Sequence, residues 1–329
     1  MKKAAGRMPA PRRVARAFCP EPIRICLFSI CVHPVHLRFQ VKPLFQLHLL
    51  VVLFALTGIV GRVMEMPAPA LVAWRTALAG LAAAAWIVWV QRRALVPSRR
   101  AIVVMLGVGA VVGVHWICFF GAIQLANVTV AMAGMASISL FTAFTEPWIE
   151  KRRLRPVEIL LGLLVLGGIA MVAGSARDHL AGLGVALLGA LLAAVFPVLN
   201  RRLVRGHPPL TIVAWEMPGA CLVGLAAVPF AGGFGGSFVP CPADFGWLLF
   251  LALACTVFAH AFHVHLLRSL TAYTSNLAIN FEPVYGMLLA AWLFHEHRLL
   301  SPAFYLGAAT IVAANLLHPL ALRAARRPR

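Results

Sequence analysis

The sequence predicts an all-α integral membrane protein, with ten transmembrane helices arranged as two inverted five-helix repeats. Composition is the first ground: the chain is 61% hydrophobic and only 12% charged, with a mean hydropathy of +0.88. A soluble domain carries about 25% charged residues. Segment length is the second, because the apolar residues gather into runs near the ~20 residues a helix needs to cross a bilayer. The third is an internal echo. Val72-Ala73-Trp74-Arg75, shortly after Pro67-Ala68-Pro69, returns as Val213-Ala214-Trp215-Glu216 after Pro208-Pro209, with one charge of each sign at the same place.

The elements follow in order. Residues 1–43 open with Lys2, Lys3, Arg7, Arg12, Arg13 and Arg16, and continue into the apolar run Ile25 to Val32. That resembles a signal peptide but lacks a small-residue cleavage site before His33-Pro34, and eight residues cannot span. The stretch is read as a disordered tail or a start placed too far upstream. Apolar spans then fall at 44–64, 67–91, 101–121, 127–149, 156–174, 179–200, 209–231, 246–267, 272–294 and 301–320. Charged or turn-like breaks separate them, among them Gln91-Arg92-Arg93, Lys151-Arg152-Arg153, Arg201-Arg202 and the glycine-rich 231–236. This divides the chain into a first repeat over 44–174, a second over 179–320 and a basic tail over 321–329.

Loop charge sets the orientation. With the amino terminus inside, cytoplasmic loops carry Arg92, Arg93, Arg99, Arg100, Lys151, Arg152, Arg153, Arg155, Arg201, Arg202, Arg205 and Arg268. External loops carry only Arg62, Arg177 and Arg298. Such a bias predicts both termini in the cytoplasm. The net charge of +19 is therefore read as topology, and no nucleic-acid partner is expected.

Five spans per half is an odd number, so the second half enters the membrane upside down. Further matches support this: Glu150 to Pro156 with Glu296 to Pro302, His115 with His260, Leu125 with Leu270 and Thr129 with Thr274, at nearly constant offset.

Several strings resemble EamA-type members of the drug/metabolite transporter superfamily. They include Val114-His115-Trp116 through Ile123, Asn127 to Ala131, Leu140 to Ala143 with Glu146-Pro147, and Ile159 to Val165 in the first half. The second half has Ile279-Asn280-Phe281-Glu282-Pro283-Val284-Tyr285-Gly286 and Ser301 to Ala308. The resemblance covers roughly residues 44–320. It implies two inverted five-helix repeats, efflux of small metabolites and a central cavity reached by alternating access. The first helix has Phe54-Ala55 where the family often has Trp-Gly.

Charges set inside apolar spans are costly and mark transport paths. At about 1.5 Å per helical residue, Arg75 and Glu216 each lie ~12 Å from a helix start and Glu282 ~15 Å, all near the middle of a core about 30 Å thick. Arg75 and Glu216 are expected either to form a structural ion pair or to serve the substrate, Arg75 facing a carboxylate or other polar group. Glu282 is left as a carboxylate free to carry protons. Trp74, His115, His260 and Asn280 complete the candidate set, with Trp116 and Trp215 as further cavity-wall aromatics. Glu146 is placed near the cytoplasmic mouth.

His260 and His263 share a face but His265 does not, so no metal site is expected, and no disulfide framework emerges from the seven cysteines. Glycines such as Gly109 and Gly113 fit close helix packing, not phosphate binding. No cofactor is expected. The favoured function is a secondary transporter in the cytoplasmic (inner) membrane exporting small polar or amphipathic metabolites, amino-acid-like compounds or drugs, with protons as a candidate coupling ion. The alternative is an integral-membrane enzyme using His260, His263 and Glu282. Expected partners are a small-molecule substrate and the lipid bilayer, in a monomer or homodimer.

Overall fold

The computed structural model describes residues 43–92, 96–151, 153, 156–298 and 300–325. The expectation for the amino-terminal tail falls on residues 1–42, outside the described residues. Every regular element among the described residues is helical: α1 (Pro43–Val63), α2 (Ala68–Val90), α3 (Arg99–Leu125), α4 (Val128–Glu150), α5 (Pro156–Ser175), α6 (Leu180–Leu203), α7 (Pro209–Ala227), α8 (Pro242–Leu266), α9 (Ala272–Phe294) and α10 (Pro302–Ala325). Eight of the segments are long and apolar enough to cross a membrane, while α5 and α10 contain the shorter apolar stretches Leu160–Val172 and Pro302–Ala314.

Helix starts follow local chemistry. Pro69, Pro209 and Pro242 sit in the first turn of α2, α7 and α8, where a missing N–H costs nothing. Three other starts are capped by side chains. Ser98 Oγ accepts from Ala101 N at 3.3 Å, Asn127 Oδ1 from Val130 N at 2.8 Å, and Thr271 Oγ1 from Thr274 N at 3.0 Å. Each cap satisfies a backbone donor that the helix itself cannot.

Helix packing repeats in an inverted pattern. α3 packs on α6 and α7, and its counterpart α8 packs on α1 and α2. α4 lies against α6 as α9 lies against α1, while α2–α7, α4–α9 and α5–α10 pair each element with its own counterpart. The α3–α7 seam is the tightest. A methyl added at Gly109 would overlap the Glu216 carbonyl oxygen, and one at Gly219 would overlap that of Leu106. Gly113 meets the Ala220 backbone in the same way, so the small residues allow the two backbones to touch. Gly107 and Gly167, by contrast, face open space.

Two helices are broken at matching places. α4 consists of Val128–Met135 and Ile138–Glu150, and α9 of Ala272–Ile279 and Phe281–Phe294. Pro283 explains the second break, because it cannot donate to the carbonyl one turn back. No proline marks the first, where the chain tightens through a Ser137 N to Gly134 O bond at 3.1 Å. α8 has a different irregularity, a π-helical stretch over Leu253–Phe258. Such insertions are frequent at functional sites.

Candidate functional site

A cavity of about 650 Å³, including volume open to solvent, lies at these irregular places. α4 contributes Met135 and Ile138 on either side of its break, and α9 contributes Asn276, Ile279 and Glu282. From α8 come Cys255, inside the π-helical stretch, and His260 and His263 just after it. α3 adds His115, Trp116 and Phe119, α1 adds Phe54 and Thr57, and α6 adds Ala193, Phe196 and Pro197. From α2 comes a single residue, Arg75.

Arg75 is only 2% exposed, so its position must be built. Its Nε donates to Thr256 Oγ1 at 2.8 Å. Thr256 in turn donates to the Leu251 carbonyl at 2.8 Å, five residues back, which is the spacing of the π-helical stretch. The guanidinium carbon lies 4.0 Å from the centre of the Trp116 ring and 5.8 Å from that of Phe120. A cation over an aromatic face is stabilised by the ring quadrupole. Nη1 has no protein acceptor. The guanidinium is therefore held rigidly at one edge while another N–H group remains for a ligand.

The expected Arg75–Glu216 ion pair does not form. Glu216 is fully buried, and its Oε2 accepts from His260 Nε2 at 2.9 Å. Both charges lie on packed neighbours, α2 and α7, but depth along a helix says nothing about direction around it. The Glu216 side chain turns to α8 and stands behind His260, outside the cavity wall.

His115 and His260, the repeat counterparts, both line the cavity with unlike partners. His115 Nδ1 donates to the Gly189 carbonyl at 2.8 Å, whereas His260 meets a carboxylate. His263 Nε2 bonds Ser275 Oγ at 2.7 Å and ties α8 to α9. Asn276 Nδ2 donates to Thr142 Oγ1 at 2.8 Å and ties α9 to α4. Glu282 is half-buried at the cavity and makes no hydrogen bond or ion pair among the described residues.

Trp74 belongs elsewhere. Its indole N–H donates to the Phe238 carbonyl at 2.9 Å, in the loop between α7 and α8. That bond takes Trp74 out of the cavity wall. Trp215 also lies outside the wall and packs near Met105 and Ile212. Asn280 is buried at the α9 break and does not line the cavity. Glu146 is buried on the last turns of α4, with Arg201 Nη1 3.9 Å from its carboxylate. Among the described residues, no group of three His, Cys, Asp or Glu side chains could hold a metal ion.

Sequence reasoning missed Thr256, Phe196 and Asn276. None has a local signal, since each gains its role from a helix distant in sequence.

A cavity between two repeated halves, lined at broken helices, is the arrangement expected of a membrane carrier. The EamA-like transporter family matches residues 42–174 and 180–318, one copy per half. The chain belongs to that family. A solved structure described as "Crystal structure of protein" shares the fold, with a TM-score of 0.60 at 20% identity over 87% of this chain and 98% of that one. No curated protein matches the sequence.

Proposed function

We propose that the protein is a secondary exporter of small polar or amphipathic metabolites that carry an anionic group. It crosses the cytoplasmic membrane ten times, with both termini inside, and works by alternating access. The observation that carries this reading is the Arg75 guanidinium at the cavity, fixed by Thr256 and Trp116, whose buried Nη1 has no acceptor among the described residues. A buried cation with an open donor fits a carboxylate or other anionic group, because charge-assisted hydrogen bonds are the strong ones. Aromatic walls from Phe54, Trp116, Phe119 and Phe196 suit an apolar body.

Glu282 serves as the proton-carrying group, since it faces the same cavity and makes no ion pair there. Export driven by a proton gradient in everted vesicles tests this. Glu282→Gln is expected to abolish uphill transport and leave substrate exchange intact. Uphill transport surviving Glu282→Gln with an unchanged pH profile would overturn the assignment. Topology has a separate check: reporter tags at Gly235 and at the carboxy terminus are expected on opposite sides of the membrane.

A further inference from the structure

The remaining acidic pair, Glu150 and Glu296, occupies equivalent places after α4 and α9 and behaves in opposite ways. Glu296 lies in a connecting segment but is 3% exposed. Its carboxylate crosses to the amino end of α4. It accepts from Val128 N at 3.2 Å, from Thr129 N at 2.8 Å and from the Thr129 hydroxyl at 2.6 Å. A carboxylate there satisfies donors that the helix leaves unpaired and meets the positive end of the helix dipole. Val128, Thr129 and Val130 are all essentially buried around it.

Glu150 does none of this. It is bound by Arg201 Nη1 at 3.0 Å, with about a quarter of its side chain exposed. Both amino ends carry a local cap, Asn127 at α4 and Thr271 at α9, but among the described residues only the α4 end also receives a carboxylate, and Thr271 is exposed. The repeat correspondence of Thr129 with Thr274 and of Glu150 with Glu296 therefore holds in sequence but not in contact. One carboxylate is engaged and its twin is withdrawn.

We propose that Glu296 and Glu150 are alternating latches for the two faces of the membrane. In the conformation described here Glu296 closes the α4 face, while Arg201 holds Glu150 away from the α9 face. In the opposite conformation Glu150 caps the amino end of α9 through the backbone of Tyr273 and Thr274 and the Thr274 hydroxyl, and Glu296 is released to solvent. The exchange conserves charge at each face, because a buried carboxylate without its donors is strongly unfavourable. Two inverted halves that swap conformations give this result without any extra element. The inference rests on the alternating-access reading.

Hydrogen–deuterium exchange of the full chain in lipid nanodiscs, read by mass spectrometry, tests it without a substrate. Glu296→Gln is expected to speed exchange at residues 128–132 by about tenfold, the loss of one charge-assisted cap. The discriminating variant is Glu150→Gln, on the opposite face. It weakens the alternative conformation, in which the α4 end opens, and is expected to slow exchange at 128–132 by about fivefold, the lost Arg201 pair offsetting part of the effect. Thr274→Val leaves that ion pair untouched. It also removes the exposed Thr271–Thr274 hydroxyl bond of 2.8 Å, but a neutral exposed bond is worth less than the charge-assisted one lost from the opposite conformation, so the same amides are expected to slow. If Glu296→Gln fails to fold, Thr129→Val removes one of the three hydrogen bonds and is expected to act with the same sign. Unchanged or faster exchange at 128–132 in both Glu150→Gln and Thr274→Val would overturn the latch and leave Glu296 a structural cap. Loss of export in a protein that keeps this opposed exchange pattern would count against the substrate assignment at Arg75, not against the latch.

Discussion

The two halves share one skeleton and put it to different use. α2 and α7 start alike and carry a charge at the same level, yet Arg75 lines the cavity while Glu216 turns away to His260; Nη1 of the one and Oε1 of the other are each buried without a hydrogen-bond partner among the described residues. α3 and α8 carry matching histidines, but only α8 has a π-helical stretch, whose Thr256 fixes Arg75 from across the bundle. A duplicated fold thus frames an asymmetric cavity wall. The unlike charges provide it.

That contrast can be broken most strongly at the histidines. His260→Ala strands the fully buried Glu216 carboxylate and is expected to cost about 3–5 kcal/mol of stability, the range for breaking a buried pair. His115→Ala leaves only the Gly189 carbonyl unpaired, at about 1–2 kcal/mol. Thermal unfolding in detergent compares the two, and equal losses would deny the asymmetry. His260→Ala combined with Glu216→Gln is expected to recover part of the loss.

Helix packing gives the next effect. Ala254 stands in α8 where α3 has Gly109, at the repeat offset, so the α2–α8 contact already accommodates a methyl that the α3–α7 seam excludes. Gly109→Ala is expected to cost about 3 kcal/mol by overpacking, and Gly107→Ala to leave stability unchanged. Similar melting of the two variants would contradict the tight seam.

How much of this the sequence could reveal follows the same division. Helices were legible because span length and hydropathy are local properties, and the inverted repeat because matching residues survive in both halves. The α9 break was foreshadowed by Pro283, but the α4 break has no proline and no comparable signal. The cavity set was only half legible. Counting residues from helix starts gives a level along each helix for Arg75, Glu216 and Glu282 and nothing more. It cannot tell which way each points, and so leaves open whether Arg75 pairs with Glu216 or serves the substrate, where the structure gives it Thr256 and Trp116. Trp74, one residue away, is expected in the wall, but its indole N–H goes to the Phe238 carbonyl in a loop that local sequence does not place. The π-helical stretch over Leu253–Phe258 leaves no mark on hydropathy or span length.

A smaller effect sharpens the comparison. Arg75→Ala and Glu216→Ala share no contact, so the double variant is expected to show the sum of the single losses within about 0.5 kcal/mol. Rescue of expression by the second substitution would restore the ion pair that the geometry lacks.

The central claim, that the Arg75 side of the bundle and not its Glu216 twin selects an anionic substrate, has one direct measurement. Extracellular metabolites are profiled from cells overproducing the wild type, Arg75→Gln or Glu216→Gln, at matched levels of inserted protein. The account predicts that wild-type cells accumulate anion-bearing small metabolites outside, that Arg75→Gln removes this accumulation, and that Glu216→Gln keeps the same compounds at a lower rate. Unchanged export of the same compounds by Arg75→Gln, or a wild-type profile made up of compounds without an anionic group, would contradict it.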